Sequence, residues 1–274
     1  MNMEQTREYW ALITGATSGI GAAYARSLAE NGVNLVLTGR REQVLSALAE
    51  RLESQHRIKT RIVIGDLADL STVDAVIAAG KACGNLLFLI NNAGYGAENG
   101  FFEDGYEQQE PMLKVHIDAA ARITHALAPS VSVPKGTKGG VIFVSSVASF
   151  VSSPSSVFYC STKAFLNSFA TSIALSLYKK KVPVQALCPG FTRTDFHDKL
   201  HIPRARLKNK GIIRWMKADT LVRISLKHLK MRKIIVVPGF FNKLMVFIAK
   251  VTPNWLFMPI AVKQKKLFAS DNAK

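Results

Sequence analysis

The stretch Thr14-Gly15-Ala16-Thr17-Ser18-Gly19-Ile20-Gly21 constrains this chain more than any other. It follows a short apolar run, Tyr9-Trp10-Ala11-Leu12-Ile13, and leads into a helical stretch over 22–30. Strand, glycine-rich turn and helix start, in that order, form a cradle for a pyrophosphate. The amides of the helix N-terminus point at the anion and the helix dipole favours it. Gly15 permits the tight turn, while Gly19 and Gly21 remove side chains where the backbone must approach phosphate or pack on a strand. Thr17, Ser18 and Ile20, lying between the glycines, complete the candidate contacts of this loop. The spacing is Gly-x-x-x-Gly-x-Gly rather than the general Gly-x-Gly-x-x-Gly fingerprint.

Further apolar runs at 34–38, 61–64, 86–90 and 184–187 alternate with helix-like segments, and 233–237 reads as a last strand. That alternation predicts an α/β domain with a mainly parallel sheet and its ligand at the edge where the strands end. The residues following each strand are therefore candidates. After 34–38 come Gly39-Arg40-Arg41, where an NAD site places a carboxylate for the ribose hydroxyls. Two guanidinium groups grip a phosphate instead, so the chain is expected to prefer NADP(H), with Arg40 ahead of Arg41. The competing reading has both arginines capping a helix over 42–53. Asp66-Leu67 follows the third strand; the carboxylate either accepts from an adenine amino group or caps the next helix. Asn91-Asn92-Ala93-Gly94 follows the fourth, where asparagine side chains tie loop backbones together and glycine frees the turn.

Tyr159-Cys160-Ser161-Thr162-Lys163 places a phenol and an ammonium four residues apart, on one face of a helix. A neighbouring cation lowers a phenol's pKa, which makes the pair a proton-transfer device. Ser145-Ser146 lies a short way upstream, at the end of an apolar run. On its own the pair is a common surface pattern; behind a nucleotide site it becomes specific.

The segments 14–21, Asp66-Leu67, 91–94, Ser146, Tyr159-x-x-x-Lys163 and Pro189-Gly190 with Thr194 stand in order along the chain. In this the chain resembles the short-chain dehydrogenase/reductase family. The resemblance implies a doubly wound, Rossmann-type sheet with helices on both faces, a nicotinamide cofactor and alcohol–ketone redox chemistry. It implies that Ser146 holds the substrate oxygen, Tyr159 is the general acid/base, and Lys163 tunes the tyrosine and binds the nicotinamide ribose. Ser145 then satisfies backbone nearby. Pro189, Gly190, Thr192 and Thr194 approach the nicotinamide end, or form an ordinary loop. Asn92, Ala93 and Gly94 join the cofactor contacts. Register puts His116 where the family commonly has a helix asparagine that supports a proton-relay water. Histidine either preserves that relay with altered pH behaviour or is a buried structural residue. Subunits are expected to assemble as homo-oligomers, and the substrate to be a small-molecule alcohol or ketone. The alternative is an NADP-binding regulatory or scaffold protein of the same fold without turnover.

Length fits one domain over 1–274, with a substrate lid at about 191–215 and an apolar, basic extension at about 240–274. Phe191, Phe196, Leu200 and Ile202 give the lid an apolar underside and point to a bulky or acyl-like substrate. A helix is expected over 213–229. Three scattered cysteines, Cys83, Cys160 and Cys188, and dispersed histidines give no metal spacing and fit a reducing, cytoplasmic compartment. Residues 1–8 have no secretory pattern, and 139–162, though free of charge, is serine-rich and contains Pro154. Charge is unevenly placed: 1–190 carry 17 Lys/Arg and 15 Asp/Glu, whereas 191–274 carry 19 and 4. No nucleic-acid reading motif accompanies that basic third. The extension is expected to pack as a core and pocket-wall helix, with a subunit interface and contact with an anionic membrane surface as the alternatives.

Overall fold

The computed structural model describes residues 8–96, 101–103, 105–193, 214–253, 255–256, 258–259 and 262. Its centre is a seven-stranded parallel sheet: β1 (Trp10–Ile13), β2 (Asn34–Gly39), β3 (Thr60–Ile64), β4 (Leu86–Asn91), β5 (Gly140–Val144), β6 (Val184–Leu187) and β9 (Ile235–Val236). The strands lie in the order β3-β2-β1-β4-β5-β6-β9, and every pairing is parallel. A parallel sheet is covered on both faces, which is why its strands read as continuous apolar runs. All residues of β1, β4, β5 and β6 are buried, while the edge strand β3 is largely open.

Two apolar layers flank the sheet. On one face lie α1 (Gly19–Ala29), α2 (Glu42–His56) and α7 (Ala218–Lys230), with Leu28, Leu45, Leu52 and Leu221 in their core. On the other lie α3 (Leu70–Lys81), α5 (Ala120–Leu127) and α6 (Val157–Ser176), with Val76, Ile123, Leu127 and Leu166. Beneath α1 a polar chain crosses the first layer: the Tyr24 hydroxyl donates to Ser225 Oγ, and Ser225 Oγ donates to Gln185 Oε1, each at 2.5 Å.

Three local expectations change. The helix α4 (Tyr106–Leu113) does not run on regularly but passes into a π turn over Lys114–Ala119, which carries His116. The helix expected from 213 starts later, at Ala218, because Met216–Lys217 (β8) pairs with Thr192–Arg193 (β7). Last, α8 (Phe240–Val251) is not a core helix. Only Asn242 and Val246 on it are buried, and Phe240, Leu244, Phe247, Ile248 and Val251 are exposed. Its inner face meets the body at Asn242, which packs against Gly190 while its Nδ2 donates to Pro238 O at 2.7 Å, just before the helix. Most of the expected lid, 194–213, lies outside the described residues, and with it Thr194, Phe196, Leu200 and Ile202.

Candidate active site

Parallel strands bring all their C-terminal ends to one edge. Between β1 and β4 the connections leave in opposite directions, which opens a crevice there. The crevice is a cleft of about 640 Å³, bordered at one end by Arg40 and Asp66 and at the other by Ser146 and Tyr159. Gly15, Thr17, Ser18, Gly19, Ile20, Arg41, Leu67, Asn92, Ala93, Gly94, Lys163, Pro189, Gly190 and Thr192 also line it.

The loop after β1 is locked to the loop after β4. Asn92 Nδ2 donates to the carbonyls of Thr14 (2.9 Å) and Gly15 (3.0 Å), and the amides of Asn92 and Ala93 donate to Thr14 Oγ1. Gly15 sits at φ +67°, and a Cβ there would come 2.9 Å from Ala93 Cα, so only glycine permits both turn and contact. Gly21 packs directly on Gly15 O, behind the loop. Ser18, the N-cap of α1, makes no side-chain capping bond, which leaves the first-turn amides to a ligand.

At the far end, Arg40 Nη1 donates to Asp66 Oδ2 at 3.0 Å, and Arg41 Nη2 to Thr17 O at 3.1 Å. Asp66 Oδ1 accepts from the Ala68 amide at 3.0 Å. The aspartate thus closes a turn, and the N-cap of α3 is Asp69. These contacts tie Arg41 to the glycine loop and Arg40 to the turn after β3. A dinucleotide fits the residues present: a glycine-rich loop and open helix start that would hold a pyrophosphate, and two guanidiniums at the Asp66 end of the cleft.

At the near end, 3-10 residues Val147–Phe150 follow β5, and α6 brings Tyr159 and Lys163 across. Tyr159 and Ser146 both line the cleft, Ser146 favours the phenolate, and its Oγ accepts from the Ala148 amide at 3.1 Å. Ser145 Oγ donates to Lys163 O, the backbone role expected of it. Lys163 is buried, donates to Val144 O at 2.8 Å and lies 5.7 Å from the Tyr159 ring centre. Burial pulls the Lys163 pKa down to about 8. The Tyr159 pKa moves opposite to expectation: burial raises it, and Ser146 only partly offsets this. Desolvation of the phenolate outweighs the help of Ser146, and Cys160 adds to the rise. Cys160 beside it is buried and its thiol is also pushed up, so it packs as a small residue.

His116 is fully enclosed. Its Nε2 accepts from the Tyr95 amide at 3.0 Å and its Nδ1 lies 2.9 Å from Thr162 Oγ1, which donates to Tyr159 O at 3.1 Å. Accepting at Nε2 puts the proton on Nδ1, so the ring is neutral. Burial, then the charge of Lys163, hold its pKa well below 6.5. Gly94 explains itself here: a Cβ would come 2.8 Å from His116 Nε2 and 3.3 Å from Lys163 Nζ. Sequence reasoning missed Gly65, Tyr95, Val151, Ser153 and Ser156 in the cleft wall. Tyr95 was findable, since it directly follows the Asn-Asn-Ala-Gly turn.

A parallel, doubly wound sheet with a glycine loop locked at its central crevice defines a Rossmann-type dinucleotide fold. The family model for short chain dehydrogenase matches residues 9–204. The chain belongs to that family, one of oxidoreductases that work with a nicotinamide dinucleotide. Sulfoacetaldehyde reductase 2 of Chromohalobacter salexigens is 34% identical over 187 residues, which cover 68% of this chain and 73% of the relative. Inactive hydroxysteroid dehydrogenase-like protein 1 of Homo sapiens is 28% identical over 187 residues, 68% of this chain but only 56% of that protein. Among solved structures, a short-chain dehydrogenase from Sphingobium yanoikuyae in complex with NADPH superposes with TM-score 0.75 at 28% identity, covering 95% of this chain and 94% of that one. A 3-oxoacyl-[acyl-carrier protein] reductase from Brucella melitensis in complex with NAD gives TM-score 0.73 at 28% identity, covering 83% and 94%.

Proposed function

We propose that this chain is an NADP(H)-dependent oxidoreductase that interconverts a ketone and a secondary alcohol, with Tyr159 as general acid/base. The observation that carries the reading is the placing of Tyr159 and Ser146 in the same cleft as the glycine loop, with Lys163 Nζ 5.7 Å from the tyrosine ring centre.

When bound, the reduced nicotinamide supplies the hydride that reaches the carbonyl carbon. Tyr159 Oη gives its proton to the carbonyl oxygen, and Ser146 Oγ, anchored by the Ala148 amide, donates to that oxygen as negative charge grows on it. Lys163 holds positive charge 5.7 Å from the phenol ring centre as the proton leaves. The reverse sequence oxidises the alcohol. Arg40 and Arg41 favour the 2′-phosphate of NADP(H) over NAD(H). His116 serves as a positioning residue: it pins the Tyr95 backbone and, through Thr162, the turn of α6 that bears Tyr159. A bulky or acyl-like carbonyl compound fits an apolar wall containing Val147, Val151 and Phe191. We further expect a homo-oligomer in a reducing, cytoplasmic compartment, with Cys83, Cys160 and Cys188 all unpaired.

A panel of ketones and alcohols followed by NADPH absorbance tests the reading. Tyr159→Phe should retain NADPH binding and lose about 10²–10⁴-fold in kcat, the usual contribution of general acid/base catalysis. Retained turnover in that variant would reject the assigned acid. The second reading, a dinucleotide-binding regulator, is favoured by the likeness to a relative named inactive. Tight NADPH binding with no turnover on any substrate would select it.

A further inference from the structure

We propose that α8, with Trp255, Leu256, Met258 and Val262 after it, forms a docking surface for an anionic lipid bilayer, set at the rim of the active-site cleft. Three observations carry this. The first is the outward apolar stripe. At 3.6 residues per turn, Phe240, Leu244, Phe247 and Val251 fall on one side of α8, with Phe241 and Ile248 beside them, and all six are exposed. Trp255, Leu256, Met258 and Val262 continue the exposed apolar surface. A soluble monomer rarely leaves so much contiguous apolar surface uncovered.

The second is charge. Between Phe240 and Ser270 the sequence holds five lysines and no carboxylate. Lys243 and Lys250 lie together on one flank of the stripe, and Lys250 Nζ sits 4.9 Å over the Phe150 ring. Apolar anchors flanked by lysines match the interface of an anionic bilayer, where the two affinities add. A second copy of this chain is the poorer occupant. A two-fold contact through the stripe sets lysines against lysines, with no carboxylate in 240–270 to neutralise them. Among the described residues no helix is long and apolar enough to cross a membrane, so the contact is at the surface.

The third is position. Asn242 packs against Gly190, and Phe150 lies under Lys250; Gly190 and the Val147–Ala148 stretch line the cleft. Docking therefore brings the mouth of the cleft to the bilayer, from which an apolar carbonyl substrate can enter. That last consequence rests on the proposed redox function; the docking itself does not.

The test is vesicle flotation of the full chain, using phosphatidylcholine alone and phosphatidylcholine with about 30% phosphatidylglycerol. A change from about 0.1 to 0.5 M NaCl shortens the range of charge attraction about twofold. The expected result is flotation with anionic vesicles only, reduced at high salt. Phe240→Ser/Phe247→Ser should lose at least tenfold in partitioning, and Lys243→Glu should lose most of the anionic preference. NADPH binding and thermal midpoint measured on each variant establish that it is folded. No flotation with anionic vesicles, or equal flotation of wild type and folded variants, overturns the proposal. So does conversion of a wild-type dimer to monomer by the serine variant with flotation unchanged, which would assign the stripe to a second copy. Docking without turnover would leave the membrane surface standing and remove only the redox reading.

Discussion

The neutral state of His116 makes a quantitative prediction about stability and pH. The folded ring is held unprotonated by burial and by Lys163, whereas in the unfolded chain it titrates near 6.5. A depressed folded pKa contributes stability that is fully present above the unfolded value and is lost as pH falls below it. While the folded ring stays neutral, one pH unit below 6.5 costs the fold about 1.4 kcal/mol through this residue alone. Lys163 does not confuse the window. Its folded pKa of about 8 lies below the ordinary 10.5, so its contribution changes between those values and is nearly constant at lower pH. Tyr159, raised by burial, loses stability only as pH climbs past 10. Urea unfolding of wild type and His116→Asn at pH 7.5 and 5.5 isolates the effect. The variant should be weaker at both values by about 1–3 kcal/mol, because the buried Tyr95 amide loses its acceptor. Its loss between the two pH values should be smaller than wild type's by about 1.4 kcal/mol. The pH–rate profile of the variant should keep the wild-type shape between pH 6 and 8. Equal pH slopes in the two proteins, together with a displaced rate profile, would sink the reasoning and make His116 a titrating relay.

Arg40→Ser should weaken NADPH about 10–100-fold by loss of a charge-assisted contact, with NADH changed little, as read by fluorescence titration. An equal loss on both dinucleotides would mean that Arg40 only holds Asp66. Tyr24→Phe removes the donor to Ser225 and should cost about 1–2 kcal/mol with an unchanged urea m-value. NADPH affinity should not move, because Tyr24 lies below the sheet layer and away from the cleft.

The strands and site motifs were legible for one reason. A parallel strand buried on both faces writes itself as an unbroken apolar run, and its ligand-binding residues follow it immediately. Gly15, Asn92, Ser146 and Tyr159 all lie within such reach of a strand or on a helix of regular period. What was not legible depends on contacts distant in sequence. The π turn at Lys114–Ala119 inserts one extra residue into a helix, and a 3.6-residue pattern carries no mark of it. The start of α7 was obscured because Met216 and Lys217 pair with Thr192 and Arg193, more than twenty residues away. The tyrosine's pKa was read from its lysine, but burial, invisible in sequence, decides the sign. In α8 the apolar stripe was visible; which side of the helix meets the body was not. Asn242, a polar residue, takes the inner side because it reaches Pro238 O.

That reversal of the tyrosine's pKa bears on direction. Burial drives both members of the pair toward their uncharged forms: the phenol holds its proton, and the ammonium keeps its own only to about pH 8. At neutral pH Tyr159 is therefore a loaded acid, which is the state needed to protonate a carbonyl oxygen. Alcohol oxidation needs the phenolate, whose fraction below its pKa grows about tenfold per pH unit. Between pH 6 and 7.5, kcat/KM for ketone reduction should stay within about twofold, while alcohol oxidation climbs steeply. The two pH profiles, measured on one substrate pair with saturating dinucleotide, make the comparison. Reduction that rises with pH alongside oxidation would place the working proton on a group other than a protonated Tyr159.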